Sequence, residues 1–110
     1  MRIYLPLTMA GLAEAHESGE VPEDTEKFTA ADESEEAEYD ALMTAADASA
    51  ELLEGPGRRV VLAAEVAGLT GPVVRRSWAA VHVDTEDPAD HDEDLAWFAI
   101  QEIGEMLACL

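Results

Sequence analysis

The densest run of groups able to do chemistry is Asp84, Glu86, Asp87, Asp90, His91, Asp92, Glu93 and Asp94. Such an oxygen-rich loop can hold Ca²⁺ or Mg²⁺, because these cations are ligated by several carboxylate, carbonyl and water oxygens. The alternating ligands and central glycine of an EF-hand loop are absent, so the run reads as a solvated loop that caps the following helix. His82 and His91 add imidazoles suited to a transition metal, yet two histidines across a loop set no geometry, and no metal is assigned. Arg58, Arg59, Arg75 and Arg76 supply four of the six cationic side chains. They could gather into one contact for an anionic ligand; the competing reading pairs them with carboxylates at strand ends, where exposed pairs contribute little. Glu38 and Glu102 could divide acid and base roles if burial raised one pKa. No Ser, His and Asp arrangement, glycine-rich phosphate loop or cysteine pair appears, so no catalytic residue and no cofactor is expected.

Charge narrows the partners further. The 110 residues carry 25 Asp and Glu against six Lys and Arg, a formal net charge of −19. Direct binding to nucleic acid or to an anionic membrane would have to overcome that field, so neither is expected. Lysine is scarce, with Lys27 alone among the arginines and abundant alanine, which fits a genome rich in G and C. A salt-loving cytoplasm would screen the self-repulsion and is one explanation of the acidity. Cys109 is the single cysteine. It admits no internal disulfide, reads as a small buried hydrophobe, and fits a reducing cytoplasm. The short apolar start, broken by Pro6, does not read as a signal peptide, and no apolar run reaches the length of a membrane span. A cytoplasmic protein is expected, folded as one domain over 1–110. Its core should be thin, because alanine buries little area and aromatic residues make up only 5% of the chain, and a thin core favours assembly with a second copy.

The elements that must position these groups follow from periodicity. Arg2 to Leu7 alternates and reads as a strand, after which Thr8 can cap a short helix from Met9 to about Glu17 that stops at Gly19. An acidic loop over 18–27 leads to a brief extended piece at Phe28 to Ala30. The strongest helical pattern runs from about Ser34 to Glu54, with Tyr39, Leu42, Met43, Ala46, Ala50 and Leu53 as its apolar stripe. Asp32 or Ser34 can cap it, and Gly55, Pro56 and Gly57 end it. Arg58 to Val66 reads as a buried central strand, and Trp78 to Asp84 as its hairpin partner. That second strand should place Ala79, Val81 and Val83 on one face and Trp78, Ala80 and His82 on the other. Leu95 to Leu110 has helical spacing, with a strand over Ala96 to Glu102 as the alternative. The order implies an α+β fold: a small, mainly antiparallel sheet with helices on one face, a ferredoxin-like or related sandwich.

Five stretches carry a resemblance to a family. They are Arg2-Ile3-Tyr4-Leu5-Pro6 with Thr8; Glu35-Glu36-Ala37-Glu38-Tyr39 with Ala41-Leu42; Arg58 to Val66; Val81-His82-Val83-Asp84; and Leu95-Ala96-Trp97-Phe98-Ala99 with Gln101-Glu102-Ile103. With these the chain resembles a group of small acidic actinobacterial proteins, the DUF6912 domain of unknown function. The resemblance implies no reaction or cofactor. That family has longer segments where this chain has only 67–80 and 85–94, and a proline where this chain has Ile100, which makes an uninterrupted final helix easier here. Among the matching groups, Glu38, Tyr39, His82, Trp97, Gln101 and Glu102 are the candidates for a pocket or interaction surface. Tyr39 and Trp97 also read as core anchors in a protein with few large side chains. The leading expectation is a non-enzymatic binding or adaptor protein that self-associates as a homo-oligomer through the apolar faces of its last helix and sheet. A mimic of DNA that occupies a basic protein surface is the alternative, and a small metal-dependent hydrolase the second.

Overall fold

A computed structural model describes residues 1–53, 57–86 and 93–109. Strand β1 (Arg2–Leu7) leads into helix α1 (Met9–Ser18), with the Thr8 hydroxyl accepting from the Gly11 N–H at 2.9 Å and Gly19 closing the helix at φ 84°. Two short strands follow, β2 (Glu20–Val21) and β3 (Phe28–Thr29). Helix α2 (Glu35–Leu52) starts at Ser34, whose hydroxyl accepts from the Ala37 N–H, while Glu35, Glu36 and Glu38 place negative charge at its positive end. Strand β4 (Val60–Glu65), the short β5 (Val73–Val74), a 3₁₀ turn at Arg75–Ser77, strand β6 (Trp78–Val83), strand β7 (Ala96–Phe98), a second 3₁₀ turn and helix α3 (Ile103–Cys109) complete the order.

The main sheet has the strand order β3-β1-β4-β6-β7, antiparallel at every step, and β2 pairs with β5 in a separate ribbon. The α+β class and the small antiparallel sheet are as expected. The placing of all helices on one face in a ferredoxin-like sandwich is corrected, because alternate residues of the central strands feed two cores. Ile3, Leu5, Leu7, Val60 and Leu62 point to one side, where they meet Leu12 of α1, Ile103 and Met106 of α3 and the β2/β5 ribbon. Tyr4, Val61 and Ala63 point to the other and meet Ala41, Ala45 and Ala46 of α2. The unbroken apolar run of β4 is what a strand covered on both faces requires.

Four further expectations change. The buried seam of α2 is Ala41, Ala45, Ala46 and Ser49, with Leu42 and Met43 only partly covered and Tyr39 exposed. Small side chains let the helix backbone lie close over Ala63, and the larger ones flank the contact. Strands β4 and β6 pair as expected, but the register shifts between Ala63 and Ala64, which oppose Ala80 and Trp78. A β-bulge at Ala79 therefore turns Trp78 onto the same side as Val81 and Val83, where its indole N–H donates to the Val73 carbonyl at 3.0 Å. Finally, the strand alternative at the C-terminal segment is the one realised, and only over three residues. Pairing of β7 with β6 covers backbone groups that would otherwise face solvent, and helix forms afresh after the Glu102 carboxylate accepts from the Ala99 N–H at 2.8 Å. Cys109 is exposed, not buried.

Candidate functional site

The α2 side of the sheet gathers three of the six candidate pocket residues, Tyr39, His82 and Trp97. In the register of the sheet, Pro6, Val61, His82 and Trp97 form one row across β1, β4, β6 and β7. Trp97 and His82 are directly opposite on neighbouring strands, a spacing at which side chains touch. Trp97 is nevertheless 61% exposed, the most exposed large hydrophobic side chain among the described residues. Burial pushes the His82 imidazole below its ordinary value of 6.5, with a smaller push from Arg2, so it is neutral at pH 7. On α2, the half-exposed Tyr39 phenol donates to Asp94 Oδ1 at 2.6 Å, a bond to a carboxylate that raises the phenol's own pKa. Leu95, one position on, packs against the α2 core. Tyr39 therefore fastens the approach to β7 to the helix that covers the sheet, and neither Tyr39 nor Trp97 is the core anchor expected.

The other candidates lie elsewhere. Glu38 borders a shallow groove with Arg2, Asp32, Glu33 and Glu65. Glu102 caps the turn before α3 and lines a depression with Phe98, Glu105, Met106 and Cys109 on the opposite side of the sheet. Gln101 is exposed beside it. The two carboxylates proposed as an acid and base pair are thus separated by the sheet and share no cavity.

The four arginines do not form one island either. Arg59 immediately precedes β4 and Arg75 opens the 3₁₀ turn that leads into β6, and because these strands run antiparallel the two lie at opposite ends of six-residue strands, roughly 20 Å apart at about 3.3 Å per residue. Arg59 is fully buried. Its Nε donates to Asp84 Oδ2 at 2.8 Å and its Nη2 to Asp84 Oδ1 at 2.9 Å, while its backbone N–H also donates to Oδ2 at 2.9 Å. A further donation reaches the Glu93 carbonyl. Bidentate geometry with every carboxylate oxygen engaged is what makes a buried ion pair tolerable. Arg58 reaches the Thr85 carbonyl. Arg75 donates to the His16 carbonyl and lies 5.1 Å from the Trp78 ring centroid, a cation–π contact that ties the β6 end to α1. Arg76 is exposed.

Of the acidic run, Asp84 binds Arg59, Asp94 binds Tyr39, and Asp87, Asp90, His91 and Asp92 fall outside the described residues. Among the described residues no three His, Cys, Asp or Glu side chains group as a metal site. Sequence reasoning passed over Ser49 and the pairing of Arg59 with Asp84, and both prove central. Ser49 and the partnership of Arg59 with Asp84 are the buried polar groups of the described structure. The Arg and Asp flank strands that pair, and projecting the hairpin one residue outward brings them face to face.

A model of the family described as Family of unknown function (DUF6912) matches residues 1–107. The chain belongs to that family. No curated protein and no solved structure matches it. The stretches that carry the DUF6912 resemblance fall on β1, the start of α2, β4, the end of β6 and β7. Arg59 and Asp84 join two of them, so the DUF6912 pattern in this chain is in large part a packing pattern.

Proposed function

We propose that the protein is a non-catalytic, cytoplasmic binding protein that works by pairing with a second copy of itself along β7. The observation that carries this reading is the 61% exposure of Trp97 on an outermost strand of the sheet. Natural edge strands are commonly blunted by charge or proline, whereas Ala96, Trp97 and Phe98 offer neither. The opposite edge, β3, has Lys27 beside it and lies under α2. Ile103 and Met106 of α3 enter the core, so this reading rests on the edge strand of the sheet and not on the last helix.

Charge is compatible with this pairing in one register. An antiparallel pair centred on Trp97 sets Trp97 against its copy, Ala96 against Phe98, Leu95 against Ala99, Asp94 against Ile100 and Glu93 against Gln101. Over residues 93–101 no carboxylate faces another, and the central pair is aromatic, the kind of cross-strand contact that stabilises sheets. The three-residue strand limits the dimer to the weak class, below about 1,200 Å² of buried surface. Repulsion between two highly acidic copies makes association stronger as salt rises. The lone cysteine, which admits no internal disulfide, is consistent with a reducing compartment.

Sedimentation velocity over a concentration series at low salt and at about 1 M NaCl, where the screening length falls to about 3 Å, tests the reading. The expected result is a monomer and dimer equilibrium that tightens with salt and is lost in Trp97→Lys. A wild-type protein that remains monomeric at millimolar concentration in molar salt overturns it.

A further inference from the structure

Strand β3 pairs with only two of the six residues of β1. Thr29 pairs with Ile3 and Phe28 with Tyr4, and there the ladder ends. The chain before it, residues 22–27, bends away instead of continuing opposite Leu5, Pro6 and Leu7. A groove of about 500 Å³ opens in the gap, with Pro6, Leu7 and Gly11 along one wall and Ala48 and Leu52 of the last turns of α2 along another. It continues through the shared Leu7, Gly11 and Thr25 toward Ala15, Val21 and Pro22. Leu52 is 53% exposed beside it, a large apolar side chain held at the surface.

The rim has a single sign. Glu14, Glu20, Asp24 and Glu26 are all exposed around the two connected parts, and no Lys or Arg lines either. Lys27 is turned inward on its own loop, donating to the carbonyls of Glu23 at 2.6 Å and Thr25 at 3.1 Å. Glu23 in turn accepts from the Gly71 N–H. The loop that forms the outer wall is therefore fastened at both its lysine and its glutamate, and a partner meets a groove already shaped, which lowers the cost of ordering on binding.

Pro6 decides how the groove can be filled. It has no N–H to donate, so a strand added in place of the missing part of β3 would find a gap in its ladder. Apolar side chains suit the walls and cations suit the rim. We propose that this groove seats a basic amphipathic helix from a protein partner. The apolar stripe of that helix packs on Leu52, Ala48 and Pro6, and its Lys or Arg side chains reach the carboxylates of Glu14, Glu20, Asp24 and Glu26. The surface is separate from β7 and does not depend on dimer formation.

The probe is a designed, fluorescently labelled Leu/Lys amphipathic helical peptide, compared with a peptide of the same charge in which serine replaces leucine. Anisotropy titrations use the full chain carrying Trp97→Lys, so that self-association does not enter. The amphipathic peptide is expected to bind at least about tenfold more tightly than its serine counterpart, the effect of burying one large apolar side chain. Leu52→Ser, at a position outside both hydrophobic cores, is expected to remove most of that advantage. Glu26→Lys weakens binding, whereas Glu36→Lys, an equal charge change at the far end of α2, leaves it within about twofold. Equal affinity for the two peptides, or equal loss in Glu26→Lys and Glu36→Lys, means diffuse attraction to an acidic surface and overturns the proposal.

Discussion

Arg59 and Asp84 are the residues on which the structure depends most heavily for their size. Both lie in the interior, 0% and 5% exposed, and a buried charge left without its partner is among the most damaging changes a small domain can suffer. Asp84→Ala is expected to cost about 3–5 kcal/mol, a large part of the roughly 5–15 kcal/mol by which domains are stable. Urea denaturation measures it directly. The double variant Arg59→Met with Asp84→Leu should cost clearly less than Asp84→Ala, since it removes both charges. Its recovery is incomplete, because the Arg59 N–H and the Glu93 carbonyl each lose a partner. A double variant as unstable as Asp84→Ala would show that hydrogen bonding to the backbone, not the buried charge, carries the effect. Both residues were visible in the sequence, one as a possible anion contact and the other in the acidic run. Their pairing was not, because it joins positions 25 apart through a strand register that composition does not encode.

Elements were legible where a periodic pattern is long or a cap is explicit. Thr8, Ser34 and Gly19 do what their side chains and backbone freedom suggest, and β1, β4 and β6 fall where alternation or an apolar run places them. Two-residue strands such as β2 and β5 leave no periodic trace. At 96–98 the spacing satisfied helix and strand alike, and the unpaired edge of β6 decided between them. The face that α2 buries departs from its stripe of large apolar residues because alanines and Ser49 allow the closest approach to the sheet. The Ser49 hydroxyl donates to the Leu7 carbonyl at 2.7 Å and accepts from the Val60 N–H at 2.8 Å, so one side chain ties α2 to the end of β1 and the start of β4. Ser49→Ala leaves two buried backbone groups without that partner and is expected to cost about 1–3 kcal/mol, whereas Ser49→Thr, if its methyl group is accommodated, keeps both bonds. Calorimetry compares the two, and a neutral Ser49→Ala would mean that α2 is held by its alanine contacts alone.

At the scale of the whole molecule, the distribution of charge follows from the layers. The stretch from 57 to 83 holds four arginines and only Glu65 among acids because it contains β4, which is covered on both faces, and β6, whose Trp78, Val81 and Val83 enter the larger core. Among the described residues Asp84 is the one acidic side chain in the interior. Most of the other described carboxylates lie on helices, turns and loops around the sheet, with Glu20 and Glu65 on strands, and at this density they repel one another. Arg2 with Glu65, at 2.8 Å, is an exposed exception and is worth at most about 1 kcal/mol. Salt therefore acts on the fold in one direction. Raising it to about 1 M shortens the screening length from about 10 Å to about 3 Å and relieves the repulsion, while the buried Arg59 and Asp84 pair is screened little. The melting temperature is expected to rise by about 5–10 °C between low and molar NaCl, which corresponds to roughly 1–2 kcal/mol for a domain of this size. Sodium chloride and potassium chloride should act alike, because the effect comes from screening and not from a bound ion. Measured in the Trp97→Lys variant, the rise should persist, since it belongs to the single copy. A salt response confined to the wild-type protein would instead assign it to association along β7.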